Sequence, residues 1–148
     1  MTHARKEFEK DVYIQCDSPA KEAMKIHLEL SGHCVTIPPE DYGVDLFSDF
    51  KQVRMFHEVE VSLGWMKGVH PYHKGSVPER KYRLVEMHLN VPLYFWMLRS
   101  DFKRAIVFSS MHIINRWLVE VPNKKVPKDE FFYRIPKQLG KEFDLLCP

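Results

Sequence analysis

Apolar and polar positions alternate most clearly from Val53 to Ser62. Val53, Met55, His57, Val59 and Val61 fill one set of alternate positions, and Arg54, Phe56, Glu58, Glu60 and Ser62 the other. A period of two predicts a strand with Glu58 and Glu60 on one face and His57 turned away from them. The short apolar run at 44–47 predicts a second strand, antiparallel to the first across a tight connection. Upstream, Ala20, Ala23, Met24, His27, Leu28 and Leu30 recur at helical spacing. Ser18-Pro19 reads as the start of that helix, with Ser as N-cap and Pro in the first turn, and Ser31-Gly32 as its end. Residues 1–17 read as polar and irregular, and 34–37 as a short strand that Pro38-Pro39 breaks.

Residues 63–80 are rich in Gly, Pro, His and Lys and predict a long loop, of the kind that often carries function. Pro78 opens a short helix through Met87. The runs LYFWML at 93–98 and AIVF at 105–108 are continuous apolar segments, the pattern of buried strands. Ser109-Ser110 then predicts a cap and a helix through about Leu118, and 131–135 a final edge strand closed by Pro136. The order implies a single α/β domain, a mixed central β-sheet flanked by helices. Its core lies at about 18–120, with a C-terminal extension at 121–148. No internal repeat, low-complexity tract or interdomain linker interrupts it.

With 45% hydrophobic and 28% charged residues, the 148-residue chain has a globular composition and not a disordered one. No apolar run approaches the ~20 residues of a membrane span, and MTHARKEFEK lacks a signal-peptide core, so a cytoplasmic protein without membrane contact is expected. Three cysteines without a CxxC pair argue against a thiolate zinc site. The eight histidines show no ligand spacing and are expected mainly in surface or loop positions. Charge is segregated. Residues 1–62 hold seven basic against twelve acidic residues (−5), and residues 63–148 fifteen against eight (+7). An acidic cluster beside a basic half suits a metal site next to a polyanion-binding surface.

Two carboxylates on one face of an apolar strand repel each other and are costly to bury. A divalent cation offsets that cost, because carboxylates are preferred ligands of magnesium and manganese. Asp45, on the adjacent strand, is placed to complete such a site; the alternative is that Glu58 and Glu60 lie on the solvent face of an edge strand. Lys67, Lys74, Arg80, Lys81 and Arg83 follow in the basic stretch and could track a phosphate backbone or form a solvated face. Glu22 on the first helix is either a further acid for the site or a complement to the helix dipole. Trp65 and Tyr72 suit base stacking or core packing, whereas Trp96 and Trp117 fall within apolar patterns and are assigned to packing.

The order of elements, Val44-Asp45-Leu46, Glu58-Val-Glu60-Val-Ser62, Trp65 and Arg80-Lys81-Tyr-Arg83 resemble the PD-(D/E)XK, or restriction-endonuclease-like, nuclease superfamily. The resemblance covers roughly residues 18–120. It implies a magnesium- or manganese-dependent endonuclease acting on duplex or branched DNA. Asp45 and Glu58 would ligate the metal together with the main-chain carbonyl of Val59. The position of Glu60 carries a lysine in most of that family. Here Glu60 would serve as base or ligand, and Lys81 would supply the displaced lysine. A homodimer follows from cutting both strands with one site per chain. The phage members imply a phage source and, with it, the host cytoplasm. Because the usual lysine is replaced, an alternative reading is a catalytically inactive nuclease-fold protein with a DNA-binding or phage assembly role. A plain α/β interaction domain is the third reading.

Overall fold

The computed structural model describes residues 10–39, 43–88, 90–120 and 131–148, with side chains from residue 17 onward. Helix α1 (Lys10–Leu30) is followed by β1 (Cys34–Thr36), β2 (Leu46–Phe50), β3 (Val53–Ser62) and β4 (Lys74–Pro78). A 3-10 turn at Glu79–Lys81 leads into α2 (Tyr82–Met87). Then come β5 (Leu93–Arg99), β6 (Arg104–Ser109), β7 (Leu118–Glu120), β8 (Phe131–Pro136) and β9 (Lys141–Asp144).

Six strands form a mixed sheet in the order β1-β2-β3-β5-β6-β9, so the chain has the α/β architecture its sequence implies. Every pairing in it is antiparallel except β3 with β5, whose parallel register runs from Phe56↔Leu93 to Ser62↔Arg99. A parallel pair needs a crossover, and β4 with the 3-10 turn and α2 supplies it. A second sheet, β4-β8-β7, lies across that side.

Alternation along β3 and β5 therefore serves two cores. Phe56, Leu93, Phe95, Ile106 and Phe108 face Val77, Leu84, Tyr133 and Ile135 of the small sheet and α2. Val59, Trp96, Leu98 and Ala105 face Ala20, Met24 and Leu28 of α1. Each fully buried aliphatic or aromatic side chain contributes roughly 1.5–3 kcal/mol. Between the sheets, a Cβ on Gly75 would stand 2.2 Å from Phe108 Cε2, so only glycine lets β4 approach the phenyl ring. Among the described residues no helix is long and apolar enough to cross a membrane.

Several expectations are corrected. Helix α1 spans Lys10–Leu30, with Pro19 inside it and not at its start, so the irregular reading of 1–17 fails from Lys10 on; residues 1–9 lie outside the described residues. An internal proline forfeits one backbone hydrogen bond and costs about 3 kcal/mol, so local propensity favours a boundary that this helix overrides. The helix does end as expected: Gly32 adopts φ +98°, a left-handed value that favours glycine. The second strand runs from Leu46 to Phe50 and not over 44–47. The loop expected at 63–80 contains β4, whose pairing with β8 comes from residues nearly sixty positions away in sequence. Ser109 does cap, accepting from Met111 N–H at 3.3 Å, but only for a 3-10 turn. A second such turn and β7 replace the expected helix. Phe131–Pro136 is the middle strand of the small sheet, not an edge, and β9 follows it.

Candidate active site

The β2–β3 ladder runs from Phe50↔Val53 to Leu46↔His57 and stops there, while β3 continues to Ser62. Phe56 N–H points toward β5, bonding Pro92 O at 2.8 Å. By alternation Val59 N–H points to the opposite edge, where β2 has ended. Asp45, just before β2, fills the gap: its Oδ2 accepts from Val59 N–H at 2.8 Å. In return Asp45 N–H donates to Glu58 Oε2, also at 2.8 Å. The two acids are thus interlocked through main-chain donors.

One oxygen of each remains, and each faces a lysine. Lys81 Nζ lies 2.5 Å from Glu58 Oε1, and Lys21 Nζ lies 3.4 Å from Asp45 Oδ1 and 3.1 Å from Asp17 Oδ2. Lys81 is held there by the 3-10 turn after β4, whose Pro78 fixes the chain direction. Glu58 is only 6% exposed. Burial raises its carboxyl above the ordinary glutamate range, Asp45 adds to the rise, and Lys81 opposes it.

Glu60, two residues along the same face, reaches solvent but is crowded by protein on several sides. That crowding raises its carboxyl too, against Lys81 and Arg80, with Asp45 adding to the rise. A cleft of about 150 Å³ opens here, lined by Glu58, Glu60, Arg80, Lys81 and apolar residues including Val77, Phe95 and Met97.

The structure brings together Asp45, Glu58, the main chain of Val59 and Lys81, with Glu60 and Arg80 on the same cleft. Lys67, Lys74 and Arg83 are exposed and lie outside the cleft lining. Glu22 is exposed as well; its neighbour Lys21 is the α1 side chain that reaches Asp45. Lys21 escaped the sequence reading, although its i,i+4 spacing from Asp17 was a signal that the two pair on one helix face. Trp65 is fully buried and donates from Nε1 to Gly68 O at 3.0 Å, a packing role that removes it as a base-stacking candidate. Among the described residues no group of three His, Cys, Asp or Glu side chains is placed to hold a metal. The available donor set is two carboxylates, the number with which magnesium is commonly held when waters and substrate phosphates complete its shell.

The other face of β3 carries a neutral network. Trp96 Nε1 is 3.0 Å from His57 Nδ1, His57 Nε2 is 2.8 Å from Ser48 Oγ, and Ser48 Oγ is 2.9 Å from His33 Nδ1. An indole can only donate, so His57 Nδ1 accepts and its proton sits on Nε2. His57 then donates to Ser48, and the Ser48 hydroxyl donates to His33. Burial, aided by His33, lowers the His57 pKa to about 3. His27 is also buried and lowered, chiefly by burial, and its Nδ1 accepts from Leu146 N–H at 3.0 Å. His70 is likewise buried, against the expectation that the histidines lie mainly at the surface.

No family model and no curated protein matches the chain. Among solved structures it is similar to Hjc, a Holliday junction resolvase from the archaeal hyperthermophile Archaeoglobus fulgidus. The superposition covers 88% of this chain and 89% of that one, with a TM-score of 0.43 and 9% identity.

Proposed function

We propose that this chain is a divalent-metal-dependent endonuclease of restriction-endonuclease-like fold that hydrolyses phosphodiester bonds of DNA at the Asp45–Glu58 pair, beside the cleft that Glu58, Glu60, Arg80 and Lys81 line. The observation that carries this reading is the interlocked carboxylate pair on the open edge of β3, with Lys81 on Glu58 and Glu60 beside them. Asp45 and Glu58 are the residues that would hold magnesium or manganese, with the Val59 carbonyl on the same strand edge. The cation would neutralise charge on the scissile phosphate and acidify water.

The protein's own groups do the rest. Glu60, its carboxyl raised toward the working pH, accepts the proton of the attacking water. Lys81 and Arg80 place positive charge where the phosphoryl oxygens become more negative. Lys67, Lys74 and Arg83 hold more distant phosphates, which makes binding strongly salt-dependent. Cutting both strands would pair two such chains.

The test is cleavage of supercoiled plasmid and of branched DNA, with magnesium or manganese, by wild type and Glu58→Ala. Metal-dependent nicking that the substitution abolishes supports the reading; nicking retained in the mutant overturns it. A second reading, a DNA-binding or assembly protein without catalysis, is favoured by the two lysines that already neutralise the carboxylates. Salt-sensitive DNA binding without any manganese binding would establish it.

A further inference from the structure

The two oxygens best placed to ligate a cation, Asp45 Oδ1 and Glu58 Oε1, are the two that lysine ammoniums occupy. The other oxygen of each carboxylate is committed to a main-chain N–H. A magnesium ion bonds carboxylate oxygen at about 2.1 Å. With Nζ of Lys81 2.5 Å from the same Glu58 oxygen, the ion and the ammonium could be no farther apart than about 4.6 Å. Two cations that close, in a partly dry cleft, repel strongly. Cation and ammonium therefore compete for this carboxylate pair.

We propose that Lys21 and Lys81 are tethered counter-ions that keep a divalent cation off Asp45 and Glu58 until a polyanion draws the ammoniums away. The proposal rests on the metal-binding reading above and adds its regulation. Both lysines have somewhere to go. Lys21 already shares Asp17, which keeps it neutralised when Asp45 is taken. Lys81 has 29% of its side chain exposed at the cleft, where Arg80 also lies, so a phosphate entering there meets both cations at once. Metal and nucleic acid then bind with positive coupling, and free protein in a metal-containing solution stays unloaded. A lysine of this kind is a positioning and gating residue whose effect shows in metal affinity before any chemistry.

Manganese binding, read from the loss of its free electron-paramagnetic signal at low salt and neutral pH, tests this. Wild type, Lys21→Met, Lys81→Met, the double variant and Glu58→Gln are compared, with near-ultraviolet circular dichroism to confirm the fold and Lys81→Gln as a second choice should Lys81→Met misfold. The expected result is weak binding by wild type, binding tighter by about tenfold in each Lys→Met variant, and none in Glu58→Gln, a size usual for coupled sites. Equal affinity in wild type and the lysine variants, abolished by Glu58→Gln, overturns the gate while the metal site stands. Absence of binding in every variant overturns both. Adding a short duplex oligonucleotide should tighten manganese binding by wild type more than by the double variant, since phosphate ligation acts in both and release of the lysines only in the first. Equal tightening in both, or none in either, overturns the gating step.

Discussion

Strand β3 presents two faces that solve the same problem in opposite ways. On one, His57 is buried and kept neutral, and the Trp96–His57–Ser48–His33 chain satisfies each ring nitrogen it uses with a single, directionally forced hydrogen bond. On the other, Glu58 is nearly as buried, yet it is met by one main-chain N–H, that of Asp45, and a lysine. Neutral networks specify a core and cost little once every member is satisfied. Buried charges contribute little net stability, because desolvation consumes most of the Coulombic gain. One residue separates the two solutions, so local composition does not explain the difference; the neighbours across the sheet do. The histidine face keeps its buried polar groups neutral and paired. The carboxylate face keeps charge where desolvation makes it costly, and it is the face to which the proposed metal site is assigned.

The largest expected effect sets one face against the other. Glu58→Gln should lower metal-dependent cleavage by at least about a hundredfold and leave the denaturation midpoint close to wild type. His57→Ala should destabilise by about 3 kcal/mol, combining a cavity with stranded donors and acceptors. Equilibrium urea denaturation and plasmid nicking on the same preparations separate the two. If Glu58→Gln proved the more destabilising, the assignment of roles to the faces would be wrong.

Acid should load the two faces with opposite sign. His57 titrates near 6.5 when unfolded and near 3 when folded, so its contribution is complete above pH 6.5 and is lost as pH falls toward 3. Between pH 6.5 and 4.5 that loss is on the order of 2–3 kcal/mol. Glu58 and Glu60 are raised above the ordinary 4.5, so their contribution is greatest below that value and fades as pH rises through their folded range. Denaturation midpoints followed from pH 7 to 4.5 should fall less steeply in His57→Gln and more steeply in Glu58→Gln. Parallel slopes in all three proteins would refute the opposition.

Ser48→Ala is a narrower probe. It leaves His57 Nε2 and His33 Nδ1 without their shared partner and should cost about 1–3 kcal/mol without touching cleavage. The smallest effect is a control at the hairpin that joins β2 to β3. Lys51 and Gln52 carry φ of +49° and +67°, a two-residue turn that suits Asn-Gly better. Gln52→Gly should stabilise by about 1 kcal/mol, seen as a higher melting temperature, and alter neither face.

The strands were legible where one side-chain period decided them. Val53–Ser62 could be read residue for residue, as could the parity that parts His57 from Glu58, because alternation is a property of the backbone itself. The buried runs in β5 and β6 could be read from a different signal, unbroken apolar sequence that suits strands covered on both faces. What failed depended on distant partners. β4 is a polar segment that becomes a strand only because β8 pairs with it. The segment after Ser109 has a helix cap and no helix, since β8 also recruits Leu118–Glu120. In the candidate site, Asp45, Glu58 and Lys81 could be named from sequence. Lys21 was missed, because only the seating of α1 on the sheet selects between adjacent helix positions.

By itself, then, the sequence determined the local periodicities: a helix packed through Ala20, Met24 and Leu28, an acid-bearing strand, and two apolar strands that had to be buried. Those follow from hydrophobic burial and backbone geometry, which act over a few residues. Tertiary structure alone decided the rest. It ended β2 at Leu46 and so left Val59 N–H for Asp45. It folded Lys81 back across twenty-three positions onto Glu58, and it buried His70, which lies in a segment read as loop. Charge and hydrogen-bond partners are set by which groups meet in space, and that is settled only when the sheet closes.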